Sequence, residues 1–281
     1  LNAPDFMKSI LVPTDFSDAA LHAALFAASL ARDTGTDLHL LNVYHLPNPL
    51  KTLPIELIVT PDELKSDTES ALKQIAQELR SSVGASLNIT LASRNGETRR
   101  AINDYATYAG AGLIVTGMKG KNAVQERLIG NTALELLRSS TVPVLSIPQT
   151  AEYRQLKTLL FATDGKSIPD PESVTLLRNL LNHHPAGLHI GCVQSPHDNF
   201  DRDQLMTSLN PLLSGMQATW HFLSDDDENT ALEKLGREIG ADWLALLPQK
   251  HSLFSRIFQQ NHTRQLALHA GLPILALRNE R

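Results

Sequence analysis

The strongest constraint on the fold is that the sequence contains the same pattern twice. KSILVPTDFSD in the first half and KTLLFATDGKS in the second each read as a lysine, an apolar run and Thr-Asp, and their aspartates, Asp15 and Asp164, lie 149 residues apart. TVPVLSI and GLPILAL repeat near the end of each half, with Pro143 and Pro273 separated by 130 residues. A tandem repeat of this length predicts two copies of one domain.

The 281 residues are enough for two domains of about 140 residues, each with its own core. We predict domains at residues 7–150 and 156–281, joined by the linker 151–155. Met7 opens the first apolar run, so residues 1–6 are expected to be a tag remnant or a short leader.

Short apolar runs alternate with helical stretches in both copies, which indicates βαβ units on a parallel sheet. Helices are expected to begin near Ser17, Pro61, Glu97 and Asn131, and the Pro61 helix carries the capping-box pattern Thr-Pro-Asp-Glu. The predicted strands of the first copy are residues 10–12, 38–43, 87–92, 113–116 and 142–147; those of the second are LLFA, LHIGCV, ATWHFL, WLALL and PILAL. Each copy is therefore predicted to be a doubly wound α/β sheet with right-handed crossovers.

Composition excludes several classes of protein. The formal net charge of −5, without a basic stripe interleaved with aromatic residues, argues against a nucleic-acid binder. No apolar run reaches the roughly 18 residues of a membrane span, so no membrane partner is expected. The single cysteine, Cys192, cannot form an internal disulfide and fits a reducing cytosol, so we expect a cytoplasmic protein with a buried, inert thiol.

The stretch TGMKGKNAVQERLIGNTA, residues 116–133, carries three glycines and several basic residues after the fourth strand. Gly117 and Asp15 both follow strands, so we expect them at the carboxyl edge of the sheet, where such folds bind ligands. Glycines there permit close approach of backbone N–H groups to a phosphate. The alternative is a flexible loop whose glycines only serve its turns. The pattern is neither a Walker motif nor a dinucleotide fingerprint.

These motifs resemble the universal stress protein family in its tandem two-domain form. The resemblance rests on ILVPTDFSD, on Gly117, Gly120 and Gly130 with two and nine residues between them, and on VPVLSIP. It implies two flavodoxin-like (adenine nucleotide alpha hydrolase-like) five-stranded sheets, ordered 3-2-1-4-5 and packed as an internal pseudo-dimer through their last strands. It also implies that the ligand is ATP or another adenine nucleotide, with or without Mg²⁺.

The family pattern assigns contact residues by position. Pro13, Thr14, Asp15 and Val43 are expected on the adenosine side, and Gly117, Gly120, Gly130, Asn131 and Thr132 on the phosphate side. Asn131 departs from the usual Ser or Thr, although its amide can still donate to a phosphate oxygen.

The second copy lacks all three glycines. Leu247, Lys250 and Gln260 stand in their places, while Asp164 remains. We therefore predict that the second copy keeps the fold and has lost the nucleotide site. The same comparison suggests that a ligand, rather than folding, explains why the first copy has these glycines.

The sequence contains no recognisable nucleophile motif, so enzymatic activity beyond weak ATP hydrolysis is not expected. Eight of eleven histidines lie in the second half without a metal-ligand spacing, and we interpret them as surface or packing residues with no metal site. The leading hypothesis is a regulatory nucleotide-binding protein of the stress response. The alternative is an interaction scaffold of the same fold that binds no nucleotide. The sequence leaves open a homodimer of whole chains and the identity of a protein partner.

Overall fold

The computed structural model describes residues 7, 9–45, 60–118, 130–165, 167–194, 202–224, 228–248 and 271–279. All ten predicted strands are present. The strands are β1 (Ser9–Thr14), β2 (Asp37–Tyr44), β3 (Ile89–Asn95), β4 (Leu113–Gly117), β5 (Val144–Ile147), β6 (Thr158–Thr163), β7 (Gly187–Gln194), β8 (Ala218–Ser224), β9 (Trp243–Leu246) and β10 (Ile274–Ala276). The helices within the described residues are α1 (Asp18–Thr34), α2 (Pro61–Val83), α3 (Thr98–Ala109), α4 (Asn131–Ser139), α5 (Pro171–His183), α6 (Arg202–Leu209) and α7 (Glu228–Glu238).

The strands form one sheet with the order β3-β2-β1-β4-β5-β10-β9-β6-β7-β8. Within each half the pairing is parallel and the order is 3-2-1-4-5, as the resemblance implied. The halves join where β5 pairs antiparallel with β10, with Leu145 opposite Leu275. The expected meeting of the two last strands is confirmed, and it converts two five-stranded sheets into one ten-stranded sheet.

Capping residues define the helix starts that the sequence suggested. Thr60 Oγ1 accepts from the Glu63 amide at 3.2 Å, and Glu63 Oε2 accepts from the Thr60 amide at 2.9 Å. This reciprocal pair is the predicted capping box of α2. Ser17 caps α1 through Ala20, and Gly35 ends α1 in the left-handed conformation.

The hydrophobic core runs continuously through both halves on each face of the sheet. On one face the Phe26 ring of α1 lies 5.1 Å from the ring of Tyr153 and 6.1 Å from that of Trp243 in β9. Tyr153 lies in the predicted linker, and its hydroxyl donates to Asp33 Oδ2 at 2.8 Å. His22 Nε2 lies 2.7 Å from the Ala151 carbonyl oxygen. The connecting segment therefore packs against α1 through Ala151 and Tyr153. Among the described helices, none has the length and apolar character of a membrane span.

His39 and His184 are among the histidines whose surroundings favour the neutral imidazole. Burial holds the pKa of His39 below its ordinary value, against a smaller opposing effect of Asp37. Burial, and then the neighbouring His183, hold the pKa of His184 low as well, against Asp33. The unfolded chain therefore takes up more protons than the folded chain once the pH falls below about 6.5.

We expect the free energy of unfolding to decrease as the pH falls from 7.5 to 5.5, because the stability contributed by neutral His39 and His184 is present above the unfolded-state pKa. It is lost as the pH approaches their lower folded-state values. Urea unfolding at the two pH values measures the change. His39→Gln should reduce the difference, and a pH-independent free energy in the unmodified protein would contradict the expectation.

Candidate functional site

The first half has its topological switch point between β1 and β4. β1 pairs with β2 on one side and with β4 on the other, and Ile10 lies opposite Leu113. Extending that register places Thr14 beside Gly117, with Asp15 directly beyond. Ligands of doubly wound sheets bind in the crevice at such a point. The structure thus brings Thr14, Asp15 and Gly117 to one edge.

The remaining adenosine-side candidates lie at the same edge. Pro13 precedes Thr14 in β1, and Val43 lies near the end of β2, opposite Arg94 of β3. Asn42 was not predicted from the sequence; it is buried and its side-chain amide donates to the Thr14 carbonyl oxygen at 2.8 Å. Asn42 therefore fixes the end of β1 against β2.

The turn from β1 into α1 depends on a strained residue. Phe16 has a φ of 62°, in the left-handed region, which costs a residue with a side chain roughly 1–2 kcal/mol. Asp15 Oδ1 accepts from the Ser17 amide at 3.0 Å and from Ser17 Oγ at 2.5 Å. The corresponding turn of the second half contains Gly165 at a φ of 74°. The same turn therefore occurs in both halves, with phenylalanine at the left-handed position in the first half and glycine there in the second.

Gly117 has a packing role that the sequence did not reveal. A Cβ on Gly117 would lie 2.5 Å from the Ala19 carbonyl oxygen and 2.8 Å from the Ala19 carbonyl carbon. The first turn of α1 therefore rests directly on the end of β4, and only glycine fits between them. The interpretation that a ligand alone explains this glycine is wrong for Gly117.

The second half shows the matching change. There β6 and β9 pair with Ala162 opposite Leu246, so the same register places Thr163 beside Leu247. α5 begins only at Pro171, which aligns with His22 at the offset of 149, so the first helical turn found in α1 is missing. Leu247 is accommodated because the helix backbone that would oppose it is not there.

C-terminal residues cross the corresponding crevice of the second half. The Asp170 amide donates to the Arg278 carbonyl oxygen at 2.8 Å, and the Arg278 amide donates to Ser173 Oγ at 2.7 Å. The Asn279 side chain donates to the Pro248 carbonyl oxygen at 3.0 Å. These contacts connect the start of α5 to the end of β9, across the edge at which the first half has its candidate site.

Three of the phosphate-side candidates, Gly130, Asn131 and Thr132, lie at the start of α4. Gly130 is the N-cap, so no side chain at that position can accept from the first-turn amides. Its own amide donates to the Met118 carbonyl oxygen at 2.6 Å, which ties the helix start to the end of β4. Asn131 and Thr132 follow and are exposed. Gly120, and the counterparts Lys250 and Gln260 in the second half, lie outside the described residues.

Comparison with known proteins identifies relatives that match about half of the chain and a solved structure that matches nearly all of it. The family model described as the universal stress protein family matches residues 7–148. A universal stress protein of Methanocaldococcus jannaschii is 27% identical over 148 residues, covering 52% of this chain and 85% of that protein. One from Bacillus subtilis is 24% identical over 145 residues, covering 50% and 98%. The crystal structure of a universal stress protein from Archaeoglobus fulgidus has a TM-score of 0.73 and 18% identity, covering 98% of this chain and 97% of its own, and so shares the fold.

We expect Gly117→Ala to lower the free energy of unfolding by about 1–3 kcal/mol, because the added methyl group would overlap the Ala19 backbone. Urea unfolding of the apo protein measures this effect without any ligand. Gly236→Ala in α7 is the matched control: its Cβ would lie 3.7 Å from Leu160 Cδ2 of β6, which is an ordinary van der Waals contact. That variant should be about 0.5–1 kcal/mol more stable than the unmodified protein. Equal stability of the two variants would refute the packing role of Gly117.

Proposed function

Because the chain belongs to the universal stress protein family, we propose that it is a cytoplasmic regulatory protein of the stress response that binds ATP or another adenine nucleotide, with or without Mg²⁺, in its first half. The single competent site is the crevice between β1 and β4. Its role is binding and signalling rather than catalysis.

The start of α4 carries this proposal. Side-chain oxygens cap four of the other described helices: α1 through Ser17, α2 through Thr60, α3 through Glu97 and α5 through Asp170. The helix α4 begins after Gly130 without such a group. First-turn amides that have no side-chain cap from the N-cap residue form a site for an anion, together with the positive end of the helix dipole. A phosphate group would accept from these amides, with Asn131 and Thr132 as further donors.

The adenosine part of the nucleotide would lie along the ends of β1 and β2. Thr14 is buried at the switch point and Asp15 is exposed just beyond it. The hydrogen bonds from the Ser17 amide and hydroxyl fix the orientation of the Asp15 carboxylate. We assign four residues to this side: Pro13, Thr14, Asp15 and Val43. Gly117 and Gly120 would line the part of the crevice between the adenosine and the phosphates.

The two halves differ at this edge, which supports a single site. In the second half Leu247 replaces Gly117, the first turn of the helix is absent, and Asn279 and Arg278 bridge to the neighbouring segments. A nucleotide there would have to displace the chain's own C-terminal residues.

We expect isothermal titration calorimetry to show one ATP per chain, and Gly130→Asp to weaken that binding at least tenfold while raising the free energy of unfolding by about 0.3–1 kcal/mol. A carboxylate at this N-cap would accept from the first-turn amides and favour the helix dipole, which stabilises α4. The same charge would repel a phosphate a few ångströms away by more than the roughly 1.4 kcal/mol that a tenfold change represents.

Gln77→Glu, on the exposed side of α2, is the control for the change in net charge and should leave ATP affinity unaltered. Titrations with and without Mg²⁺ test the accompanying ion. If the unmodified protein binds no nucleotide at millimolar concentration, the nucleotide function is wrong and the scaffold alternative takes its place.

A further inference from the structure

The sheet brings together two histidines that lie 32 residues apart in the sequence. His189 of β7 and His221 of β8 lie on the same face of the second half, with His189 opposite Thr219 and Gly191 opposite His221. His189 Nδ1 and His221 Nε2 are 2.9 Å apart. The two rings are nearly parallel, with an interplanar angle of 18° and a centroid separation of 5.2 Å.

The first half contains only one imidazole at the corresponding place. His39 occupies the same position in β2, but its Nδ1 lies 3.1 Å from the Tyr105 hydroxyl oxygen. At the offset of 130, Leu235 of α7 replaces Tyr105, and the strand register places His221 where the first half has Ala92. The hydrogen-bond partner of the strand histidine is therefore a tyrosine hydroxyl in the first half and a second imidazole in the second half.

We propose that His189 and His221 together bind one divalent late first-row transition-metal ion, of the Cu²⁺, Ni²⁺ or Zn²⁺ class. Two neutral imidazoles joined by one hydrogen bond carry two protons, one between the facing nitrogens and one on a single outer nitrogen. When the metal ion binds, the proton between the rings moves to the other outer nitrogen, so that each facing nitrogen donates its lone pair to the metal. His189 Nε2 and His221 Nδ1 then each carry one proton, and no net proton is lost.

The distance between His189 Nδ1 and His221 Nε2 fits the binding of one metal ion by both nitrogens. Imidazole nitrogens bind such metals at about 2.0–2.1 Å, which sets two neighbouring ligand nitrogens about 2.8–3.4 Å apart for angles between a right angle and the tetrahedral value. The present 2.9 Å lies within that range. Metal binding requires a rotation about χ2 of each ring, a soft torsion, that directs both lone pairs at one point.

The donor set selects the class of metal. Two imidazoles favour Cu²⁺ over Ni²⁺ and Zn²⁺ and bind Mg²⁺ or Ca²⁺ poorly, since those ions prefer oxygen. Within the part of the chain that the structure describes, no group of three or more His, Cys, Asp or Glu side chains converges. Both histidines are partly exposed, so water can complete the coordination shell.

The experiment titrates the full chain with Cu²⁺ and examines the bound ion by electron paramagnetic resonance. We expect one site per chain with two imidazole nitrogens in the spectrum, no net release of protons above the ordinary pKa of histidine, and a rise in Tm. His189→Gln and His221→Gln should each weaken binding by about tenfold or more and leave one nitrogen in the spectrum, because the two-point attachment is lost.

His39→Gln is the matched control from the first half and should leave the two-nitrogen spectrum intact. Near-ultraviolet circular dichroism of each variant without metal confirms that it is folded. A two-nitrogen site that survives either second-half substitution, or the lack of a saturable site in the unmodified protein, would overturn the proposal. Neither result depends on nucleotide binding by the first half.

Discussion

The antiparallel pairing of β5 with β10 determines the rest of the architecture. An isolated copy would end in an exposed edge strand, which is a template for association with other chains. In this protein each terminal strand covers the edge of the other, with Leu145 opposite Leu275 and Ser146 opposite Ile274. The pairing also aligns the two apolar faces, so that the core continues from one half into the other. The joined sheet is one packing unit built from two copies.

The two copies share this sheet but differ at pairs of positions that contact each other, rather than at single positions. The first turn of α1 requires a glycine at position 117, because any side chain there would overlap the Ala19 backbone. The second half has lost both, with Leu247 on the strand side and a later start of α5. His39 and His189 show the same principle, since each half-buried imidazole has a polar neighbour supplied by a different element. Close packing makes a change on one element depend on its neighbour.

The sequence predicted the elements that depend on local pattern and on the repeat. All ten strands, the order 3-2-1-4-5, the capping box at Thr60 and the meeting of the last strands are confirmed. It could not predict contacts between distant segments: the backbone of Ala19 over Gly117, the bridge from Asn279 to Pro248, or the pairing of His189 with His221. Phe16 was missed although Gly165 at the aligned position indicated a left-handed turn. The assignments of nucleotide contacts, and the domain bounds at 150 and 156, stay predictions.

The antiparallel junction also separates the two binding edges. Since strands are parallel within each half but antiparallel across β5 and β10, the carboxyl edges of the halves face opposite ends of the ten-stranded sheet. The carboxyl edge of the second half, as far as the structure describes it, therefore lies at the end of the sheet away from the crevice of the first half. Besides the shared sheet, α1 connects the two edges: its N-cap Ser17 lies beside the crevice, and Asp33 near its end binds Tyr153 of the connecting segment. Among the described residues, that helix and the shared sheet are therefore the two routes by which a nucleotide would affect the second half.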